Sequence, residues 1–222
     1  MAKKISLLNS EIYYEEMPLF YGRKKIDLDV CKKNLLDLGF LAKKKNVDFG
    51  IIFGTLLGAI REKNFIKHDE DVDVYVLDEH KECFLELLPE LINLGFMIAR
   101  YDGRLLSIIR NGDYIDVYFF KRSFLGNRVC GNLSINRRFF DGFDVVCFLG
   151  EEFNAPVNHL SFLETMYGKD WMTPKESAHA NPMSIFSMVI IYIKKVIKLI
   201  LPKPALALLK KFNSKIWPKG IT

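Results

Sequence analysis

The sequence predicts an α/β (α+β) fold, a mixed sheet flanked by helices, and three patterns carry that expectation. Residues 26–45 set Ile26, Val30, Leu35, Leu38, Leu41 and Ala42 at helical spacing among Asp27, Lys32, Lys33, Lys43 and Lys44, the pattern of an amphipathic helix. Val72, Val74 and Val76 alternate with Asp71, Asp73 and Tyr75, a period-two strand that carries its acids on one face. Residues 105–110 and 114–120 flank Asn111-Gly112-Asp113, a hairpin signal.

The other elements follow in chain order. The apolar run 49–53 reads as a strand, Gly54 as a tight turn, and 55–61 as a short helix. Residues 79–94 look helical up to Gly95. Residues 96–101 and 143–148 are further strands, and 159–167 is a short helix stopped by Gly168. No internal repeat is visible.

Charge divides the chain in two. Of the net +5, residues 183–222 supply eight lysines and no acid, which leaves −3 for residues 1–182. A nucleic-acid binder would carry its basic stripe on the folded body, so no nucleic-acid partner is expected. Residues 1–182 are expected to form the domain and 183–222 an appendage. Within the latter, Lys194, Lys195 and Lys198 interrupt an apolar run, which disfavours a transmembrane span. On a helix they oppose Ile190, Ile193, Ile197 and Leu201, a basic amphipathic tail suited to an anionic membrane surface; Pro202 and Pro204 would break it in two. The same pattern also suits a terminal helix docked on the core with a solvated lysine face. Cys31, Cys83, Cys130 and Cys147 show no paired spacing, and the apolar stretch after Lys4 is too short for a signal-peptide core. A reduced, cytoplasmic protein, peripheral on the inner face of the cell membrane, is the expectation.

The chemistry concentrates between Gly54 and Val74. Asp69, Glu70, Asp71 and Asp73 crowd four carboxylates into five residues, a repulsive arrangement unless a cation is held there. Asp71 and Asp73 are hard oxygen ligands suited to Mg²⁺ (or Mn²⁺). A solvated acidic turn is the bland alternative for such a run. Its context argues otherwise, because Gly54 and Thr55 open a helix whose free N–H groups can meet a phosphate. A further acid, Asp116, falls in the otherwise apolar Tyr114-Ile115-Asp116-Val117-Tyr118, where it needs a metal, a proton or a partner.

Strand, Gly-Thr turn, Asp-x-Asp and a later Asp together resemble the nucleotidyltransferase superfamily. The likeness sharpens to the LicD family of phosphotransferases, which includes the fukutin-type enzymes. Its segment G-T-L-L-G-A-x-R followed by F-I-P-W-D-D-D-I-D stands here as residues 54–61 and 65–73. A second hallmark, a helix ending in Tyr-Gly and then Asp-Trp and Pro, is matched by Tyr167, Gly168, Asp170, Trp171 and Pro174. The likeness runs from about residue 30 to 175. Lys67 and His68 replace the family's Pro-Trp, and Glu70 takes the middle acidic position, departures that bear on donor specificity.

The resemblance implies transfer of an alcohol phosphate, of the phosphocholine, phosphoethanolamine or alditol phosphate type, from a CDP-activated donor. The acceptor is a hydroxyl of a cell-surface glycan or its lipid-linked precursor, and CMP is released. In that scheme Asp71 and Asp73 hold Mg²⁺ across the donor diphosphate, and Gly54 and Thr55 donate to phosphate oxygens. Asp116, and equally Asp69, serves as base or completes the metal shell. Arg61, Lys67 and His68 are donor contacts. The same acids would also serve a nucleotidyltransferase that consumes an NTP and releases pyrophosphate, and a non-catalytic membrane-associated binding module could keep the fold.

Overall fold

The computed structural model describes residues 2–19, 24–124 and 126–174. The predicted tail, 183–222, lies outside the described residues. Helix α1, Leu28–Lys44, starts where Asp27 caps it: its carboxylate accepts from the N–H groups of Asp29 and Val30 at 3.0 and 3.1 Å. Two short strands, β1 (Lys3–Ser6) and β2 (Glu11–Tyr14), form a hairpin ahead of it.

The sheet is built from β3 (Gly50–Ile51), β4 (Val72–Leu77), β5 (Met97–Tyr101), β6 (Leu105–Arg110), β7 (Asp113–Arg122), β10 (Phe143–Phe148) and β11 (Glu151–Pro156). Their order is β10-β11-β3-β4-β7-β6-β5, and β8 (Arg128–Cys130) with β9 (Leu133–Ile135) extends from the far end of β7. The β11–β3 and β4–β7 pairs are parallel and the others antiparallel, so the sheet is mixed as expected. α2 (Phe53–Arg61) packs on β4, α1 on β7, and α5 (His159–Tyr167) on α2 and β11. Helices and neighbouring strands leave β4 buried from Val72 to Val76, not half-buried as simple alternation suggests. Asp73 and Asp116 are therefore acids inside the core layer, 7% and 2% exposed.

Three of the predicted elements differ from expectation, and β1, β2, β8, β9 and β11 are not among the predicted ones. The strand over 49–53 shrinks to Gly50–Ile51 because Phe53 already opens α2. The single helix over 79–94 divides into a 3₁₀ turn (Asp78–His80), α3 (Lys81–Leu85) and α4 (Leu88–Asn93). Pro89, in the first turn of α4, has no N–H to continue α3 and is suited to starting a new helix. Asp71 precedes β4 instead of lying within it. The hairpin signal is realised: Asn111 (φ +53) and Gly112 (φ +89) make the mirror-image turn that matches strand twist. Among the described residues no helix is long and apolar enough to cross a membrane.

α2 is held tightly against the chain that leaves it. A methyl group added at Gly58 would stand 2.5 Å from the Asn64 carbonyl oxygen and 3.2 Å from the Ile66 nitrogen. Gly58→Ala is therefore expected to lower stability by about 1–3 kcal/mol, read as a lower urea midpoint.

Candidate active site

Phe53 is the hinge on which the site is set. It adopts φ +48, a conformation that is unusual for a bulky residue and costs on the order of 1–3 kcal/mol. Its ring is held edge-on to Tyr118, centroids 5.2 Å apart, and tilted against Phe162 at 6.2 Å. This abrupt turn brings the start of α2 onto Asp73. The Gly54 N–H donates to Asp73 Oδ2 at 3.0 Å, the Asp73 N–H donates to Thr55 Oγ1 at 2.8 Å, and the Ile52 N–H donates to the Asp73 carbonyl oxygen at 3.2 Å. The described bonds of Gly54 and Thr55 thus fix an acid, where the resemblance assigned them to a phosphate.

Asp69 joins from the loop before β4. A methyl group at Gly54 would stand 2.4 Å from Asp69 Oδ2 and 3.2 Å from Asp73 Oδ2, so both carboxylates crowd the bare Cα of Gly54. Only glycine leaves them room. Asp116 lies directly across the β4–β7 ladder from Asp73. Its oxygens are engaged by the Ser107 hydroxyl and, at 2.8 Å, by Arg100 Nη2.

Electrostatics follow from this crowding. Burial pushes the Asp71 carboxyl up to about 8, reinforced by the charges of Asp116 and Asp69 and opposed by Arg100. Asp73 is driven well above the usual carboxylate range, first by burial and then by Asp71, Asp69 and Asp116; the Gly54 N–H pulls the other way. Burial also raises Asp116, against the lowering effects of Arg100 and Ser107. Three tyrosines line the cluster. Tyr118, hydrogen-bonded to Asp73, and Tyr167, facing Asp73, Asp69 and Asp71, are both raised well above the usual phenol value, with burial the first cause of each. Tyr114, beside Asp71 and Asp116, is likewise raised by burial.

These acids fit a divalent cation by their chemistry, since hard oxygens that repel one another are relieved by a positive ion. Among the described residues no three His, Cys, Asp or Glu side chains stand gathered as a ready chelating group. Mg²⁺ suits such a site, because it is commonly held by one or two carboxylates together with substrate phosphates.

The structure brings together Gly54, Asp69, Asp71, Asp73 and Asp116, with Thr55 behind them. Arg61 lies near Tyr167 with two of its nitrogens engaged: Nη1 donates to the Trp171 carbonyl at 3.2 Å and Nη2 to Glu62 at 2.8 Å, tying α2 to the Tyr-Gly corner. Lys67 and His68 are exposed on the loop. Gly168 (φ +92) ends α5, and the Trp171 N–H donates to its carbonyl, so the corner is a helix stop that also delivers Tyr167 to the acids. Sequence reading missed Arg100, Ser107, Tyr114 and Tyr118 as neighbours of the site. The inward acid of β7 alone could have pointed to a cation on an adjacent strand.

A family model described as "LicD/FKTN/FKRP, nucleotidyltransferase domain" matches residues 46–158, just over half the chain. Two curated Rickettsia proteins align with it. "Uncharacterized protein RT0683" of Rickettsia typhi is 30% identical over 82 residues, 37% of this chain and 26% of that protein. "Uncharacterized protein RP689" of Rickettsia prowazekii is 32% identical over 78 residues, 35% and 28% respectively. The chain thus spans about a quarter of the length of these relatives. Among solved structures, the lincosamide antibiotic adenylyltransferase LnuA is 14% identical with TM-score 0.43, covering 60% of this chain and 85% of that one. The antibiotic-resistance factor ANT(2'')-Ia is 12% identical with TM-score 0.48, covering 85% and 96%.

The raised Asp71 fixes a sign for pH dependence. Its folded value, about 8, lies above an unfolded value of about 4, so protonation stabilises the fold. That contribution is complete below about pH 4 and is lost as pH rises towards 8. The metal-free protein should therefore melt lower at pH 8 than at pH 6, with Asp71→Asn flattening the slope in a fluorimetric melt. A melting temperature that climbs over this window would contradict the assignment.

Proposed function

We propose that this chain, which belongs to the LicD/FKTN/FKRP nucleotidyltransferase-domain family, moves an alcohol phosphate from a CDP-activated donor to a glycan hydroxyl. The observation that carries the reading is the convergence of Asp69 and Asp73 on Gly54, with Asp71 and Asp116 close by. That layout suits a reaction in which charge builds on phosphate oxygens.

Asp71 and Asp73 would hold Mg²⁺ or Mn²⁺, which would supply positive charge to the diphosphate and its departing oxygen. The acceptor oxygen bonds to the phosphorus that carries the alcohol. The bond from that phosphorus to the bridging oxygen breaks, and its electron pair leaves with CMP. The hydroxyl proton passes to a carboxylate of the cluster, Asp69 or Asp116, of which Asp116 is held by Ser107 and Arg100. The clamp of Gly54 and Thr55 on Asp73 supplies pre-organisation, so little rearrangement is needed when donor arrives. Lys67 and His68, exposed at the rim, replace the family's Pro-Trp and contact the donor head group.

Melting with Mg²⁺ and CDP-choline, CDP-ethanolamine, CDP-glycerol, CDP-ribitol, CTP or ATP tests the donor class, because a ligand of the native state raises the melting temperature without any acceptor. One CDP-alcohol is expected to stabilise more than CTP does, and Asp73→Asn to remove the metal-dependent part. Stabilisation by NTPs alone would assign the chain to pyrophosphate-releasing chemistry instead. No shift with any of them would favour a binding module.

We further propose that residues 183–222 hold the enzyme at an anionic membrane, where a lipid-linked acceptor would lie. Eight lysines without an acid support this. The 222-residue chain should sediment with phosphatidylglycerol vesicles at low salt, and replacing Lys194, Lys195 and Lys198 by Glu should weaken that by about a hundredfold or more, at about 1 kcal/mol per lysine lost. Unchanged sedimentation of the triple variant would remove the tail from the scheme.

A further inference from the structure

Four neighbouring strands carry one row of side chains across the sheet. In the ladder registers Arg100 of β5 faces Ser107 of β6, Ser107 faces Asp116 of β7, and Asp116 faces Asp73 of β4. The first three close a ring. Arg100 Nε donates to Ser107 Oγ at 2.7 Å, the Ser107 hydroxyl donates to Asp116 Oδ1, and Arg100 Nη2 donates to Asp116 Oδ2 at 2.8 Å.

Arg100 occupies this row only because β5 is irregular. Ile98 pairs with Ile108, yet Arg100 pairs with Ser107, so two residues of β5 oppose one of β6 and Ala99 is the extra one. In a regular antiparallel ladder Ala99 would face Ser107 and Arg100 would point to the opposite face. The bulge is fastened from outside, since the Met17 N–H donates to the Ala99 carbonyl at 2.8 Å. A bulge that turns a cation towards a buried acid beside a reaction centre is a feature a merely stable sheet does not need.

From this geometry we infer that Arg100 is the built-in counter-charge of Asp116, so that the site holds one divalent cation, on Asp71 and Asp73, and Asp116 is not a metal ligand. The inference rests on the reading that Asp71 and Asp73 hold the ion, and it departs from the expectation that Asp116 completes the metal shell. Arg100 is a positioning residue in this scheme. It fixes Asp116 through two oxygens, directly and by way of Ser107, and supplies the positive charge that Asp116 faces. Its side chain is 36% exposed, and Nη1 has no hydrogen-bond partner among the described residues.

Counting ions decides it. Mn²⁺ added to full-length protein, with free Mn²⁺ followed by electron paramagnetic resonance, should show one bound ion per chain. Asp73→Asn should abolish it. Asp116→Asn leaves the Arg100 charge unpaired beside the site and should keep the count at one at saturating Mn²⁺ with affinity lowered about tenfold, whereas the double variant Arg100→Gln/Asp116→Asn, which removes both charges, should bind within about threefold of the wild type. Arg100→Gln frees a buried carboxylate next to the site and should add a second ion or tighten the first about tenfold or more. Melting temperatures confirm that each variant is folded, and if Arg100→Gln fails to fold the Asp116→Asn arm decides alone. Two ions in the wild type, no saturable ion, or loss of the ion in Asp116→Asn would overturn the inference, as would a folded Arg100→Gln with unaltered Mn²⁺ binding. Because the count needs no donor, failure of the CDP-alcohol reading would show as absent CMP release with the count intact.

Discussion

Asp73 is bonded on both sides of its Cα to the start of α2, through its carboxylate to the Gly54 N–H and through its own N–H to the Thr55 hydroxyl. The rest of the site depends on this clamp. It sets the height of β4 relative to α2, and with it the level at which Asp116 faces Asp73 in the next strand. It requires Gly54, because a side chain there would collide with Asp69. It also accounts for the left-handed Phe53, since a chain entering α2 by an ordinary path would not turn the Gly54 N–H onto a strand residue immediately beside it. Aromatic packing of Phe53 against Tyr118 and Phe162 offsets that strain.

The acids are held in an environment that suits neither their shared ionisation nor full solvation. Burial and mutual repulsion raise Asp71 and Asp73, while one member of the group, Asp116, is supplied with an arginine. Such an arrangement costs stability as long as the acids share the site without a compensating charge. It is the inverse of core optimisation, where buried charge is avoided. Local cost at a reacting centre, compensated by the buried aromatic and aliphatic layer around it, is consistent with a site built for phosphate chemistry.

Much of this was legible in the sequence because the signals were local. Asn111-Gly112 specifies its turn through two positive φ angles, Gly168 stops α5 through a third, and the spacing of Asp69, Asp71 and Asp73 marks the segment whose acids the fold brings together. What stayed hidden was non-local or chemically quiet. Pro89 restarts a helix within an apolar run that otherwise reads as continuous. β11 follows a turn at Leu149 and Gly150 in which Leu149 takes φ +58, a position where leucine gives no turn signal. Arg100 reaches Asp116 only through a bulge at Ala99, and a bulge shifts register without leaving a mark in composition. The tyrosines converge from β7 and α5, elements about 50 residues apart, a juxtaposition made by the fold and not by spacing.

On the proposed reading, the raised carboxyls of Asp71 and Asp73 give up protons when a divalent ion binds between them. Ligands that must deprotonate release protons on binding, and calorimetric titration of Mg²⁺ in buffers of different ionisation enthalpy counts them. At pH 7 about one proton or more should be released per ion bound by the wild type, fewer at pH 9, and fewer again from Asp71→Asn. Binding with no proton release at pH 7 would contradict it, because the acids would then be ionised and mutually tolerant without the metal.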